Sequence, residues 1–442
     1  MNTQGYLDWP FRPDHRSDEQ EAQWWRTCYL PTATDHQLAG AAHWFVLAGP
    51  PGSGKSVALA AWLARRAESL LLQYPPELWP GSPKAWHPSD PTHLRQMLAV
   101  AGNYIAEVVQ RDPALAEGLD RFQREFLRAL LEQQGGARRY QRFVLGLPPP
   151  LRPVYQETKA EVDFFDDTNS LIGVQGIIQE LVLLANALGR QRIVFLVDPV
   201  EPLGHAHLVG LGNLLGWLDL TDNPDLAVVV ALREALLHDS PLLARARSRI
   251  SLIYTHWTEA ECRRVAACHM QQALPDAAAD QPLSAYLTEE VIEMAGRMLV
   301  AEYGDANPSG WVLLAETVLF AVYRADTPLA APIAAADFGA LRKLFFTRHI
   351  KLRLDPAGHR VWRGARSLAI DDQPLRLLTL LHQRQRRVNW DDLELRELAG
   401  SPSNLYSIAS RARKAIEPDP DDPVFLLNKR GIEGGYWLEN CP

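Results

Sequence analysis

Short apolar runs alternate with helical patterns along the first half of the chain. The runs 44–48, 193–197, 226–232 and 250–254 are apolar at nearly every position, which is typical of parallel strands buried on both faces. The stretch after the first run, VALAAWLARRAESLL, has the 3.6-residue periodicity of a helix. This alternation predicts an α/β fold, a parallel sheet with flanking helices, over residues 1–255.

The pattern changes after residue 255. Helical periodicity dominates residues 256–340, which we predict as a helical domain. Three short alternating stretches then predict a small antiparallel sheet, and three helical patterns and a closing hairpin with a Gly-rich turn follow them. Sheet, three helices and hairpin together predict an α+β winged helix-turn-helix domain over residues 341–442.

One interval inside the α/β region is longer than its fold requires. Asp198 follows Lys55 by 143 positions, and the interval includes Pro-rich loops and helical stretches such as ALAEGLDRFQREFLRALLEQ. We interpret residues 73–170 as a helical insertion. Its expected role is a surface for a protein partner or for regulation.

The strongest motif lies between the first strand and its helix. It matches the P-loop pattern G-x-x-x-x-G-K-[ST] at every fixed position, in the strand–loop–helix setting that the motif needs. Backbone N–H groups of such a loop surround phosphates at the positive end of a helix dipole. The lysine reaches the β- and γ-phosphates, and the serine hydroxyl binds Mg²⁺. The sequence therefore predicts a site for ATP and Mg²⁺ formed by Gly49, Pro50, Pro51, Gly52, Ser53, Gly54, Lys55 and Ser56.

Further charged residues follow the later strands. Asp198 ends the second run and is the predicted Walker B ligand that holds Mg²⁺ through water. Glu201, three residues on, is either the catalytic base or a solvated loop carboxylate. Arg233 ends the third run, at the sheet edge where ligands bind. Arg249 precedes the fourth run and belongs either to a solvated face or to an arginine finger offered to a neighbouring subunit.

These features resemble the STAND and AAA+ branch of P-loop NTPases over residues 1–330. By that resemblance Arg233 is a sensor arginine, and residues 256–340 form a lid over the nucleotide. Pro10 and Phe11 resemble the segment that lies against adenine, and Pro308 resembles the lid proline. The resemblance also implies a nucleotide-dependent homo-oligomer.

The last hundred residues, with the phrase RGIEGGYWL, resemble the OmpR/PhoB-type effector domain of response regulators. Residues 341–442 carry 18 basic and 13 acidic side chains, whereas residues 1–340 have a net charge of −13. The resemblance places residues 403–417 in the DNA major groove. The candidate DNA contacts are Tyr406, Ser407, Ser410, Arg411 and Lys414, with Lys429 and Arg430 in the wing. A winged helix that docks only a protein partner is the alternative.

Composition and termini narrow the setting. We predict a cytoplasmic protein without a membrane partner, because its four cysteines have no paired spacing, its N-terminus has no apolar core and no long apolar run occurs.

The main hypothesis is a slowly hydrolysing ATP-controlled switch of bacterial transcription control or of defence against phage and plasmids. The alternatives are an AAA+ DNA loader acting as a ring, and an adaptor that binds no DNA.

Overall fold

The computed structural model describes most of the chain. The described residues are 11, 18–41, 45–66, 68–74, 92–158, 163–165, 171–198, 223–239, 250–274, 283–304, 306–364, 366–429 and 434–441. They form two units. Unit 1 comprises residues 1–30, 51–53 and 257–442, and unit 2 comprises residues 31–50 and 54–256.

A five-stranded sheet is the framework of unit 2. Its order is β2-β3-β4-β1-β5, and every pair of neighbours is parallel. Strands buried on both faces explain why the sequence shows unbroken apolar runs rather than alternation. The strands are β1 (Phe45–Gly49), β2 (Ser69–Gln73), β3 (Arg192–Val197), β4 (Leu226–Arg233) and β5 (Ser251–Tyr254).

Helices cover both faces of this sheet. Alternate strand residues such as Phe45 and Leu47 share a core with α2 (Ala33–Ala39) and α3 (Lys55–Ala64), whereas their neighbours Val46 and Ala48 belong to the opposite core. The opposite core contains α4 (Thr92–Arg111), α5 (Pro113–Gly118), α6 (Arg121–Gly146), α7 (Arg152–Glu157) and α8 (Leu171–Ala187). A short α9 (Glu234–Asp239) follows β4.

Unit 2 is therefore an α/β P-loop fold with flanking helices, as the sequence predicts. The helices of the predicted insertion share one hydrophobic core with the sheet. Phe126 and Leu130 of α6, for example, lie in the same buried cluster as Phe195 of β3. The insertion thus contributes to the stability of the sheet itself.

Helices dominate the first part of unit 1, and a small α+β region follows. The helices are α1 (Asp18–Thr27), α10 (Glu259–Ala273), α11 (Glu289–Tyr303), α12 (Pro308–Tyr323) and α13 (Phe338–His349). Strands β6 (Leu352–Asp355), β7 (Arg360–Arg363) and β8 (Arg366–Ala369) then form an antiparallel sheet. Helices α14 (Asp372–Arg384), α15 (Leu393–Ala399) and α16 (Pro402–Ile416) precede the hairpin of β9 (Leu426–Lys429) and β10 (Gly435–Leu438).

The winged helix and the preceding helices share a single core. One buried cluster runs from Cys262 in α10 through Leu314 in α12 and Phe345 in α13 to Ile408 in α16. The predicted boundary at residue 341 falls inside α13, and Leu341 is itself fully buried. Because one core of the described residues runs through that boundary, the predicted lid and winged helix pack together within unit 1.

The hairpin is fixed at one glycine. Gly435 has a φ of 156°, and a Cβ there would lie 2.5 Å from the carbonyl oxygen of Val388. Val388 and Tyr436 exchange two backbone hydrogen bonds of 2.8 Å at this point. The close approach that allows this bridge therefore requires glycine.

Among the described helices, none is long and apolar enough to span a membrane.

Candidate functional site

The carboxyl ends of three parallel strands meet at one edge of the unit 2 sheet. Gly49, the last residue of β1, lies opposite Arg233, the last residue of β4. Val197 ends β3 opposite Val230 of β4, and Asp198 follows it directly. The topology therefore brings the start of the P-loop, Asp198 and Arg233 to the edge where ligands of open α/β sheets bind.

Lys55 lies at the centre of this cluster. Its Nζ donates hydrogen bonds to the carbonyl oxygens of Gly49 at 3.1 Å and Pro50 at 2.8 Å. Burial lowers the pKa of Lys55 to about 8, an effect that Asp198 opposes and Arg233 reinforces. The Lys55 ammonium is partly desolvated and lies beside a second cation, Arg233, so it attracts an anion strongly.

The backbone of the loop has the conformation that a phosphate cradle needs. Gly52 and Gly54 have φ angles of 75° and 78°, in the left-handed region that glycine adopts without strain. Gly54 is the N-cap of α3, so the unpaired N–H groups of the first helical turn begin directly behind it. Ser56, in that turn, is exposed. Together with the Asp198 carboxylate, this donor set fits ATP and Mg²⁺.

The middle of the P-loop is bonded to residues that sequence reasoning missed. Within unit 1, Asn307 Nδ2 donates to the carbonyl oxygen of Pro51 at 2.7 Å, and Ser309 N donates to that of Gly52 at 3.3 Å. Trp257 Nε1 donates to the carbonyl oxygen of Ser53 at 2.8 Å. A Cβ on Gly52 would lie 2.9 Å from Ser309 Cβ, so glycine is needed here for close packing as well.

Asn307 also caps a helix, and the sequence contains a local signal for this role. Its Oδ1 accepts a hydrogen bond from Gly310 N at 3.2 Å and so caps α12, with Pro308 at the first helical position. Asparagine before proline is a strong helix-start signal. The signal predicts the cap but not the contact with Pro51, which joins residues 256 positions apart.

The remaining predicted nucleotide-site residues divide into two groups. Phe11 is buried in the core of unit 1, where its ring lies 5.9 Å from that of His269. Its contact with adenine remains a prediction, as does the role of Pro308. Pro10, Glu201 and Arg249, together with Arg430 of the wing, lie outside the described residues.

Helix α16 presents the predicted DNA-contacting residues on one face. Leu405, Ile408, Ala409, Ala412 and Ile416 are buried, which leaves the opposite face to solvent. Ser410 is half-buried on that face, and the exposed side chains are those of Tyr406, Ser407, Arg411 and Lys414. In the wing, Lys429 is also exposed.

Two acidic residues that follow α16, Glu417 and Asp419, are engaged elsewhere. Glu417 is buried and accepts hydrogen bonds from the backbone N–H groups of Val424, Phe425 and Leu426, at distances from 2.6 to 3.1 Å. Asp419 pairs with Arg342 at 2.7 Å. Because these carboxylates hold the chain or pair with cations, they oppose an approaching phosphate less than their number suggests.

Two arginines connect α16 to its surroundings. Arg413 Nε donates to the carbonyl oxygen of Leu426 at 2.9 Å, which ties α16 to strand β9 of the wing. Arg411 Nη2 donates to Gln373 Oε1 at 2.8 Å while its guanidinium remains exposed. The face and the wing are therefore held in a fixed relation.

The lowered pKa of Lys55 predicts a pH dependence of triphosphate affinity. Below pH 8 the amine is charged, and above pH 8 it becomes neutral and loses its attraction for phosphate, which is fully ionised there. We expect the affinity to be flat near neutral pH and to fall by at most about tenfold per pH unit above pH 8. Fluorescent-nucleotide titrations from about pH 7 to pH 9.5 measure this.

The matched control for this titration is Lys55→Arg. A guanidinium stays charged throughout the range, so whatever affinity the variant retains should not vary with pH. An affinity of the unmodified chain that stays constant across the range would contradict the assignment of the charge to Lys55.

Comparisons with known proteins give little beyond this geometry. No protein-family model matches the chain, and no curated protein matches it. Among solved structures, that of the Aeropyrum pernix Orc1 protein in complex with DNA is similar, with 14% sequence identity and a TM-score of 0.36. The match covers 98% of this chain and 93% of that chain. At that TM-score the likeness supports no conclusion about ligand or activity.

Proposed function

We propose that this chain is an ATP-binding, slowly hydrolysing P-loop protein of the STAND/AAA+ kind, whose nucleotide state controls the winged helix. The observation that carries the proposal is the convergence of the P-loop, Asp198 and Arg233 at one sheet edge around a desolvated Lys55. Bound Mg²⁺·ATP supplies the transferable phosphoryl group and the metal charge that stabilises it.

The residues of the chain have separate tasks in this proposal. Lys55 and the N–H groups of the loop hold the phosphates, and Ser56 and Asp198 are the metal-binding side chains. Arg233 senses the γ-phosphate from the end of β4. These roles follow from residue type and position at the sheet edge, and each can be tested by substituting the residue.

Coupling to the winged helix is supported by the bonds of the loop's middle segment. Pro51, Gly52 and Ser53 are hydrogen-bonded to Asn307, Ser309 and Trp257, all of unit 1. A ligand that rearranges the loop backbone must break or reshape these bonds. Because α12 and α16 share one core, a strain at Asn307 acts on the unit that carries the winged helix.

DNA is the proposed partner of α16. An exposed face with Arg411 and Lys414, a wing lysine and a positively charged C-terminal region suit a phosphate backbone. Docking of a protein partner on the same face is the competing outcome, in which the chain would bind no random-sequence duplex DNA even at low salt.

Steady-state turnover distinguishes the proposed switch from a ring-forming DNA loader. We expect hydrolysis at about one turnover per minute or less, as in switch NTPases without an activator. Asp198→Asn should remove the Mg²⁺-dependent part of the hydrolysis, since a neutral amide binds the metal less well than a carboxylate. Rapid turnover that duplex DNA stimulates, with ATP-dependent rings in mass photometry, would instead assign the loader function.

A further inference from the structure

Three arginines of helix α6 converge on one cavity outside the P-loop. Arg138, Arg139 and Arg142, together with Gly135, line an open cavity of about 460 Å³. Arg138 and Arg142 are exposed and Arg139 is half-buried. Within the described part of the chain, none of the three guanidiniums forms an ion pair or a hydrogen bond.

A break in the helix produces this convergence. Gly135 and Gly136 leave the helical conformation, with φ angles of −145° and 64°, and divide α6 in two. Positions 138, 139 and 142 then lie on adjacent faces of the second segment's first turns. Arg139 packs over Gly135, where a Cβ would lie 3.0 Å from that of Arg139. The break thus gives the arginine stems room to line a concavity.

The new segment also contributes its own polarity. Residues 137–146 form a helical stretch whose first backbone N–H groups lie beside the same arginines. The first turn of a helix carries the positive end of the helix dipole. Peptide dipoles and guanidiniums therefore act in the same direction at the cavity.

Charge along the sequence favours a small anion over a long one. Residues 133–156 contain four arginines and no aspartate or glutamate, whereas residues 1–340 as a whole have a net charge of −13. The basic segment is short, and a compact, multiply charged anion gains its attraction without extending beyond it.

We propose that this cavity is a second anion site of the protein, which binds the phosphate groups of a small phosphorylated molecule. Guanidinium groups match phosphate oxygens in a bidentate manner, and three of them around one concavity form a specific receptor for a di- or triphosphate. This inference does not depend on the nucleotide site or on the function proposed above.

Calorimetric titration of the full chain with inorganic tripolyphosphate tests the site. In the Lys55→Ala variant the P-loop should no longer bind phosphate, so we expect one remaining tripolyphosphate site. Adding Arg139→Gln and Arg142→Gln should weaken this binding by about tenfold or more, because each removes a charge-assisted hydrogen bond. Unchanged melting temperatures establish that these surface substitutions leave the fold intact.

Arg297→Gln is the matched control, since Arg297 is an exposed helical arginine outside the cavity. It should leave the affinity unchanged. An equal loss of tripolyphosphate affinity in Arg297→Gln, or no loss of affinity in the cavity variants, would contradict the proposed site. Single-stranded or duplex DNA that competes far more strongly than tripolyphosphate, and only when Arg139 and Arg142 are present, would overturn the small-molecule assignment.

Discussion

Replacing Lys55 with alanine is expected to abolish measurable ATP binding. The side chain supplies the principal cation of the P-loop, and its charge is held in a partly desolvated position next to Asp198 and Arg233. Two charge-assisted contacts to phosphate are lost, which corresponds to a reduction in affinity of about 100-fold or more. Titration with a fluorescent ATP analogue in the presence of Mg²⁺ measures the effect.

Loss of fold is distinguishable from loss of the site in this variant. Because burial disfavours the charged form of Lys55, removing it should leave the melting temperature unchanged or raise it. Lys351→Ala, at an exposed position of unit 1, is the control that should bind normally. Retention of ATP affinity by a folded Lys55→Ala protein would refute the site assignment.

Replacing Glu302 with leucine is expected to destabilise unit 1 by about 3–5 kcal/mol. Glu302 of α11 pairs with Arg363 of β7 at 2.7 Å, and both side chains are almost fully buried. Arg363 also donates to the carbonyl oxygen of Ile416, at the end of α16. Burial raises the pKa of Glu302, which the Arg363 guanidinium opposes, and the variant leaves that guanidinium buried without its partner.

Calorimetric unfolding of the full chain measures this loss, with two comparisons. Glu302→Leu combined with Arg363→Met should recover most of the stability, because an apolar pair replaces a buried ion pair at little cost. Glu107→Ala, which breaks an exposed ion pair with Arg111, should cost less than about 1 kcal/mol. Equal, small effects of Glu302→Leu and Glu107→Ala would show that the buried pair does not hold the winged helix to α11.

The sequence predicts the sheet edge well because local patterns determine it. A strand, a glycine loop and a helix start are consecutive in the chain, and parallel topology then requires Asp198 and Arg233 to arrive at the same edge. The exposed face of α16 is similarly predictable from helical periodicity. Ile408 lies in the apolar stripe of that helix, and Tyr406 lies opposite it.

Other features depend on packing between distant segments and leave no local signal. Trp257 and Asn307 contact the P-loop although they follow it by about two hundred residues or more. The apparent boundary at residue 341 reflects a change from helical to alternating patterns, whereas the core runs through it. Glu417 is a charged residue type, yet it is buried and accepts hydrogen bonds from three backbone N–H groups. Composition does not encode these partners.

The most direct test of nucleotide control is the affinity for random-sequence duplex DNA, measured at low salt with and without a non-hydrolysable ATP analogue and Mg²⁺. We expect the analogue to change the affinity by about 5–150-fold in the unmodified chain and not at all in Lys55→Ala. Arg411→Ala with Lys414→Ala should weaken binding and reduce the slope of log affinity against log salt by about two. An unchanged affinity for duplex, with the analogue demonstrably bound, would contradict the account.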